Sequence, residues 1–239
     1  MRIDSKAEPV ARRIHKRGMK KKAHWVAPPK CKGLIQTESR LEASAAIAIG
    51  LDPRVTSFRP QPASFDLATG RKYRSAKALS EATSGKGRCY TPDFEVKLGR
   101  AIVYVEVKHS ALIRKYPDTL LLPRMFAGFG WKLILVDENL LCDTFVQNTR
   151  LIWPWYGHAV ADQTVQALQE ECREPRSFAS LTEGGRTQAD ILSLLASGHL
   201  ATDLAGARLN SRSLIITAAG VATDLMRLPF PITAEKPHA

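Results

Sequence analysis

The stretch "CYTPDFEVKLGRAIVYVEVKHS" (Cys89–Ser110) carries three residues that could do chemistry together: Asp93, Glu106 and Lys108. Alternate side chains of a strand share a face, so Glu106 and Lys108 point one way while Val105 and Val107 point the other. Asp93 follows the Thr91-Pro92 turn, and a hairpin through Gly99-Arg100 can bring it beside Glu106. Two carboxylates held that close repel each other unless a cation lies between them. Hard oxygen donors of this kind suit Mg²⁺, with Mn²⁺ as a substitute, and the backbone carbonyl of Val107 can complete the set. Lys108 can then orient an attacking water or neutralise charge developing on a phosphate. The competing explanation is an exposed Glu106–Lys108 ion pair, worth about 0–1 kcal/mol and catalysing nothing.

These residues need elements to hold them. "ESRLEASAAIAIGLDP" predicts a helix stopped by Gly50 and the Asp52-Pro53 turn. "RVTSFRPQPASFDL" alternates but is punctuated by prolines, which predicts an irregular edge strand. Residues 75–88 read as a polar, mobile insertion. "YTPDFEVKL" and "AIVYVEVKH" form the expected hairpin, and helical character broken by Pro117 and Pro123 follows. "WKLILVDE" is a candidate buried strand. The order predicts an α/β core.

Beyond that core, "VADQTVQALQEEC" is helical, "REPRSFASLTEGGR" reads as a linker, and "TQADILSLLAS" is a helix closed by Gly198. "HLATDLAGARLNSRSLI" fits either a helix-turn-helix or a small strand pair. Four segments are expected: a basic arm (1–32), the core domain (33–160), a helix and linker (161–186), and a small C-terminal domain (187–239).

Charge separates the arm from the rest. The formal net charge is +12 over 239 residues, and residues 1–32 hold eleven Lys and Arg against Asp4 and Glu8, or +9. A cationic arm of this kind favours a polyanion, because each phosphate contact releases condensed counterions. Arg12, Arg13, Lys16, Arg17, Lys20, Lys21 and Lys22 are the candidate DNA contacts. No apolar run is long enough to span a membrane, and the basic N-terminus lacks the apolar core of a secretory signal. Cys31, Cys89, Cys142 and Cys172 lie far apart without zinc-ligand spacing, as expected of reduced thiols in a cytosol. His109 alternates away from Lys108 and reads as a surface histidine, and "WPWYGH" (Trp153–His158) reads as packing aromatics.

"TPDF…VEVK" resembles the PD-(D/E)xK nuclease superfamily. More narrowly, "ESRLE…LDPRVTSFRPQP…YTPDFEV…VEVKHS", spanning about Glu38 to Val136, is similar to the TnsA family, the endonuclease subunits of heteromeric transposases. The resemblance implies a restriction-endonuclease-like core, a mixed central sheet flanked by helices, and a Mg²⁺-dependent endonuclease acting at transposon ends, on the strand that the partner transposase does not cut. It implies Asp93 and Glu106 as metal ligands, Lys108 as the catalytic lysine and Glu42 as an acid contributed from the upstream helix. Many family members carry glutamine at the position of Glu106. The implied partners are DNA, a DDE-type transposase and an AAA+ ATPase regulator, in the bacterial cytosol and on the nucleoid when DNA is bound. The C-terminal domain would be partner-binding or winged-helix-like.

Glu42 also has an explanation without catalysis: Ser39-Arg40-Leu41-Glu42 is a capping box, and Glu38 is then the substitute acid. Two other functions compete with the first. One is a stand-alone repair or restriction-like nuclease, and the other is a non-catalytic DNA-binding adaptor that keeps the fold.

Overall fold

The computed structural model describes residues 10–11 and 23–231. A short hairpin, β1 (His24–Val26) and β2 (Ile35–Thr37), leads into helix α1 (Arg40–Leu51). Then come β3 (Ser57–Pro60), β4 (Ser64–Asp66), β5 (Lys72–Tyr73), helix α2 (Ala76–Ala82), β6 (Cys89–Tyr90), β7 (Phe94–Leu98) and β8 (Ala101–Val107). Helix α3 (Ser110–Lys115), a 3₁₀ turn (Pro117–Leu121), helix α4 (Leu122–Gly128) and β9 (Leu133–Val136) complete this part. Pro117 and Pro123 sit in the first turns of the last two helical segments, where a missing N–H costs nothing.

The central sheet has the order β3-β7-β8-β9. β3, β7 and β8 are antiparallel, β9 runs parallel to β8, and β3 is an edge. This is the mixed sheet of an α/β core, as the resemblance implies. The β7–β8 loop is Gly99-Arg100, with Leu98 paired to Ala101. A positive φ of 60° at Gly99, the first loop position, is what a type II′ hairpin demands. Gly50 is needed for another reason: a Cβ there would lie 2.5 Å from the Pro29 carbonyl oxygen. Helix α1 is apolar on all sides, and Ala45 to Ile49 are buried accordingly.

β4, β5 and β6 form a second sheet in the order β5-β4-β6. Residues 75–88, expected as a polar insertion, are ordered around helix α2. Ser75 caps it by accepting the Ala78 N–H, and Leu79 is its one buried side chain. Asp66 anchors the segment's far end by accepting the Arg88 N–H at 3.1 Å. One apolar residue makes no periodicity, and the anchor is remote in sequence, so the helix leaves no local signal.

The chain divides into two compact units. The first takes in the described residues up to Gly50, Arg54–Asn139 and the end from Pro229; the second takes in Leu51–Pro53 and Leu140–Leu228. The division falls at Asn139/Leu140, so the segment up to residue 160, assigned to the core domain by sequence, groups with the second unit. That unit contains α5 (Asp143–Ile152), α6 (Asp162–Glu171), β10 (Arg176–Ser177), α7 (Phe178–Glu183), α8 (Gln188–Ser197), β11 (Leu200–Ala201) and β12 (Leu214–Thr217). The expected linker over 173–186 instead holds β10 and α7, with Ser177 capping the helix and Leu181 buried. Gly198 closes α8 in the left-handed conformation, as its position predicts. After it the chain forms a strand pair, Leu200 opposite Thr217, inside a sheet ordered β10-β12-β11.

Candidate active site

Phe94 pairs with Val105 across the hairpin, and one further step of the same register sets Asp93 opposite Glu106. Asp93 is fixed there by the chain it faces: its Oδ2 accepts the Val107 N–H at 2.8 Å. The Val107 backbone, whose carbonyl was the candidate ligand, is therefore directly at Asp93. Glu106 accepts a 2.6 Å hydrogen bond from the Tyr90 hydroxyl on Oε2, while Lys108 Nζ lies 3.7 Å from Oε1.

Glu42 approaches from α1. Its Oε2 accepts the Glu38 N–H at 2.8 Å and its Oε1 accepts the Ser39 hydroxyl at 2.9 Å, while Ser39 Oγ accepts the Glu42 N–H at 3.1 Å. This is a complete capping box. Burial pushes the Glu42 carboxyl above its ordinary pKa, opposed by these hydrogen bonds and reinforced by the charges of Glu38 and Glu106. Glu38 is exposed and serves the cap through its backbone.

Glu42, Asp93 and Glu106 are 8%, 9% and 8% exposed. Acids are seldom this buried without partners, and Lys108 is the cation beside Glu106. The residues thus fit Mg²⁺ in donor chemistry: hard carboxylate oxygens, partly desolvated, with like charges that a dication would relieve. They do not form a closed cage, since among the described residues no three His, Cys, Asp or Glu side chains are grouped to hold a metal ion. Mg²⁺ ordinarily keeps several waters and takes one or two carboxylates, which an open arrangement suits.

A second polar network occupies the same face of β8, two residues from Glu106. Glu95 of β7, opposite Tyr104, accepts from Arg59 Nε at 2.8 Å, Lys72 Nζ at 3.0 Å and the Tyr104 hydroxyl at 3.1 Å. Burial opposes the Glu95 charge, but the two cations outweigh it and hold the carboxyl below its ordinary range. Burial, then the Glu95 charge, pushes the Tyr104 hydroxyl up. Phe65, Phe126 and Trp131 pack around Tyr104, and Tyr90 lies against Phe126, so an aromatic wall fixes the hydroxyl that meets Glu106.

Asp93, Glu106, Val107 and Lys108 thus share one region, while the Glu42 carboxylate bonds to Glu38 and Ser39 and feels the charge of Glu106. Arg12, Arg13, Lys16, Arg17, Lys20, Lys21 and Lys22 lie outside the described residues, but Ala11, which precedes them, donates its N–H to the Gln61 carbonyl at 2.9 Å. Gln61 in turn donates its N–H to the Asp93 backbone carbonyl at 2.7 Å, so Ala11 is linked through Gln61 to the main chain at Asp93. His109 is exposed, and its Nδ1 accepts the Ala111 N–H to cap α3. Tyr90 and the Glu95 network were not legible as site residues. Tyr90 reaches Glu106 across 16 residues of chain, and the pairing of β6 with β4 and packing against Phe126 position it.

No protein-family pattern matches the chain, and no curated protein sequence matches it. No helix among the described residues is long and apolar enough to cross a membrane.

Proposed function

We propose that the chain is a metal-dependent DNA endonuclease of the TnsA type, with a restriction-endonuclease-like core, working in a transposition complex. The observation that carries this reading is the hairpin register, which sets Asp93 against Glu106 and Val107 with Lys108 beside them. Asp93, Glu106 and the Val107 carbonyl would hold Mg²⁺, with Glu42 behind them. Bound there, the ion supplies Lewis-acid charge to the phosphate and lowers the pKa of the attacking water. Lys108 neutralises the charge that builds on the phosphoryl oxygens as water adds and the P–O bond to the leaving strand breaks. Tyr90 keeps Glu106 in one rotamer, and the aromatic wall behind Tyr90 keeps bulk water from that side. The basic arm holds the DNA by phosphate contacts that position it without reading sequence. A DDE-type transposase cutting the other strand and an AAA+ ATPase regulator are the proposed partners, with the C-terminal segment from residue 187 as their partner-binding or winged-helix-like platform.

Asp93→Ala and Lys108→Ala test the assignment. Each is expected to lower Mg²⁺-dependent strand cleavage at least about 10³-fold, while duplex binding in EDTA stays within about threefold of wild type. Wild-type cleavage by either variant would remove the residue from the site.

A further inference from the structure

Gln61 follows the edge strand β3 in a state that the cleavage chemistry leaves unexplained. Its side chain is 2% exposed, yet neither Nε2 nor Oε1 has a hydrogen-bond partner among the described residues. Its backbone holds a φ of 40°, in the left-handed region that residues with a Cβ seldom adopt. Both backbone polar groups are satisfied, by Asp93 on one side and Ala11 on the other.

A buried carboxamide with neither end bonded is costly, and a strained backbone adds to the cost. Such a combination persists where a guest supplies the missing bonds. The guest here must be small, must accept from Nε2 and donate to Oε1, and must fit next to the residue that pairs with Asp93. Water meets each condition. The structural alternative is one fixed water with no link to the metal. The neighbourhood argues against it, because the Gln61 backbone N–H donates to the backbone carbonyl of Asp93, the residue whose carboxylate heads the proposed metal site.

We propose that Gln61 is a positioning residue: its carboxamide holds a water of the hydration shell of the divalent cation carried by Asp93 and Glu106. The proposal rests on the metal-dependent nuclease reading. Mg²⁺ retains several waters in such sites, and removing an outer hydrogen-bond partner commonly lowers metal affinity 10- to 100-fold. Gln61→Met keeps the length of the side chain and removes both polar ends, which also removes the cost of burying them unbonded.

The test titrates Mn²⁺ into the metal-free full chain and follows binding by electron paramagnetic resonance, with thermal melts of the same samples before metal is added. Gln61→Met is expected to bind Mn²⁺ about 10- to 100-fold more weakly than wild type, with a metal-free melting temperature equal to or above wild type. Gln61→Gly, which relaxes the positive φ, serves as a second variant if methionine does not fit, and should show the same loss of affinity. Wild-type Mn²⁺ affinity in both variants, with or without a change in melting temperature, overturns the proposal in favour of a structural water. Asp93→Ala separates the two levels. If it loses Mn²⁺ while the Gln61 variants do not, the nuclease reading stands and the role of Gln61 falls. If wild type itself binds no Mn²⁺, both fall.

Discussion

At Glu42 the helix cap and the carboxylate cluster compete for the same two oxygens, both of which already accept hydrogen bonds from Glu38 and Ser39. Glutamine serves a capping box as well as glutamate does, so Glu42→Gln keeps the cap and removes the charge. If Glu42 contributes to the metal site, this variant loses at least about tenfold in cleavage with its fold intact; unchanged cleavage assigns Glu42 to the cap alone. Its titration supplies a separate check. A carboxyl raised by burial stabilises the fold fully below the ordinary glutamate value of 4.5, and that contribution is lost as pH rises through the folded pKa. The melting temperature of Glu42→Gln relative to wild type should therefore climb between pH 4 and pH 7.5 in metal-free buffer. A constant gap contradicts the buried, charge-coupled picture. Asp93, Glu106 and Lys108 could be read from sequence because strand alternation and one hairpin suffice to place them. Gln61 stood in the sequence only as part of "RPQP", since neither burial nor an unmet hydrogen bond is written in spacing.

Four strands from two sheets meet at Glu95: Arg59 of β3, Lys72 of β5 and Tyr104 of β8 all reach it from their own strands. Lys72 also lies 5.3 Å from the Tyr104 ring centroid and 5.7 Å from that of Trp131. Removing one partner of a buried charge costs far more than losing an exposed pair. Lys72→Met, which keeps the aliphatic contact, should destabilise the protein by about 3 kcal/mol in urea denaturation. A loss under about 1 kcal/mol would show that Arg59 and the Tyr104 hydroxyl satisfy Glu95 without Lys72. The β7–β8 hairpin and the parallel β9 were legible because each is a run of β-formers with a clear stop. Helix α2 and the β10–α7 segment were not, because each buries a single leucine and takes its anchors from Asp66 or from serine caps.

The charge of the sequence is concentrated in its first 32 residues, and Ala11, immediately before Arg12 and Arg13, is tied to Gln61. If the arm binds phosphates, neutralising Lys20, Lys21 and Lys22 to alanine lowers the slope of log affinity against log salt by about 2 to 3 on duplex DNA. An unchanged slope removes the arm from the interface. The division at Asn139/Leu140 was not legible in sequence, since α5 follows the core without a Pro- or Gly-rich linker. The most direct measurement on the molecule as a whole is strand-specific nicking of a labelled transposon-end duplex in Mg²⁺, with and without the partner transposase. The expected result is a nick on the strand the transposase leaves intact, only when both proteins and Mg²⁺ are present, and absent with Asp93→Ala. Cleavage by the chain alone would make it a stand-alone nuclease, and DNA binding without cleavage under every condition would rule out the nuclease function.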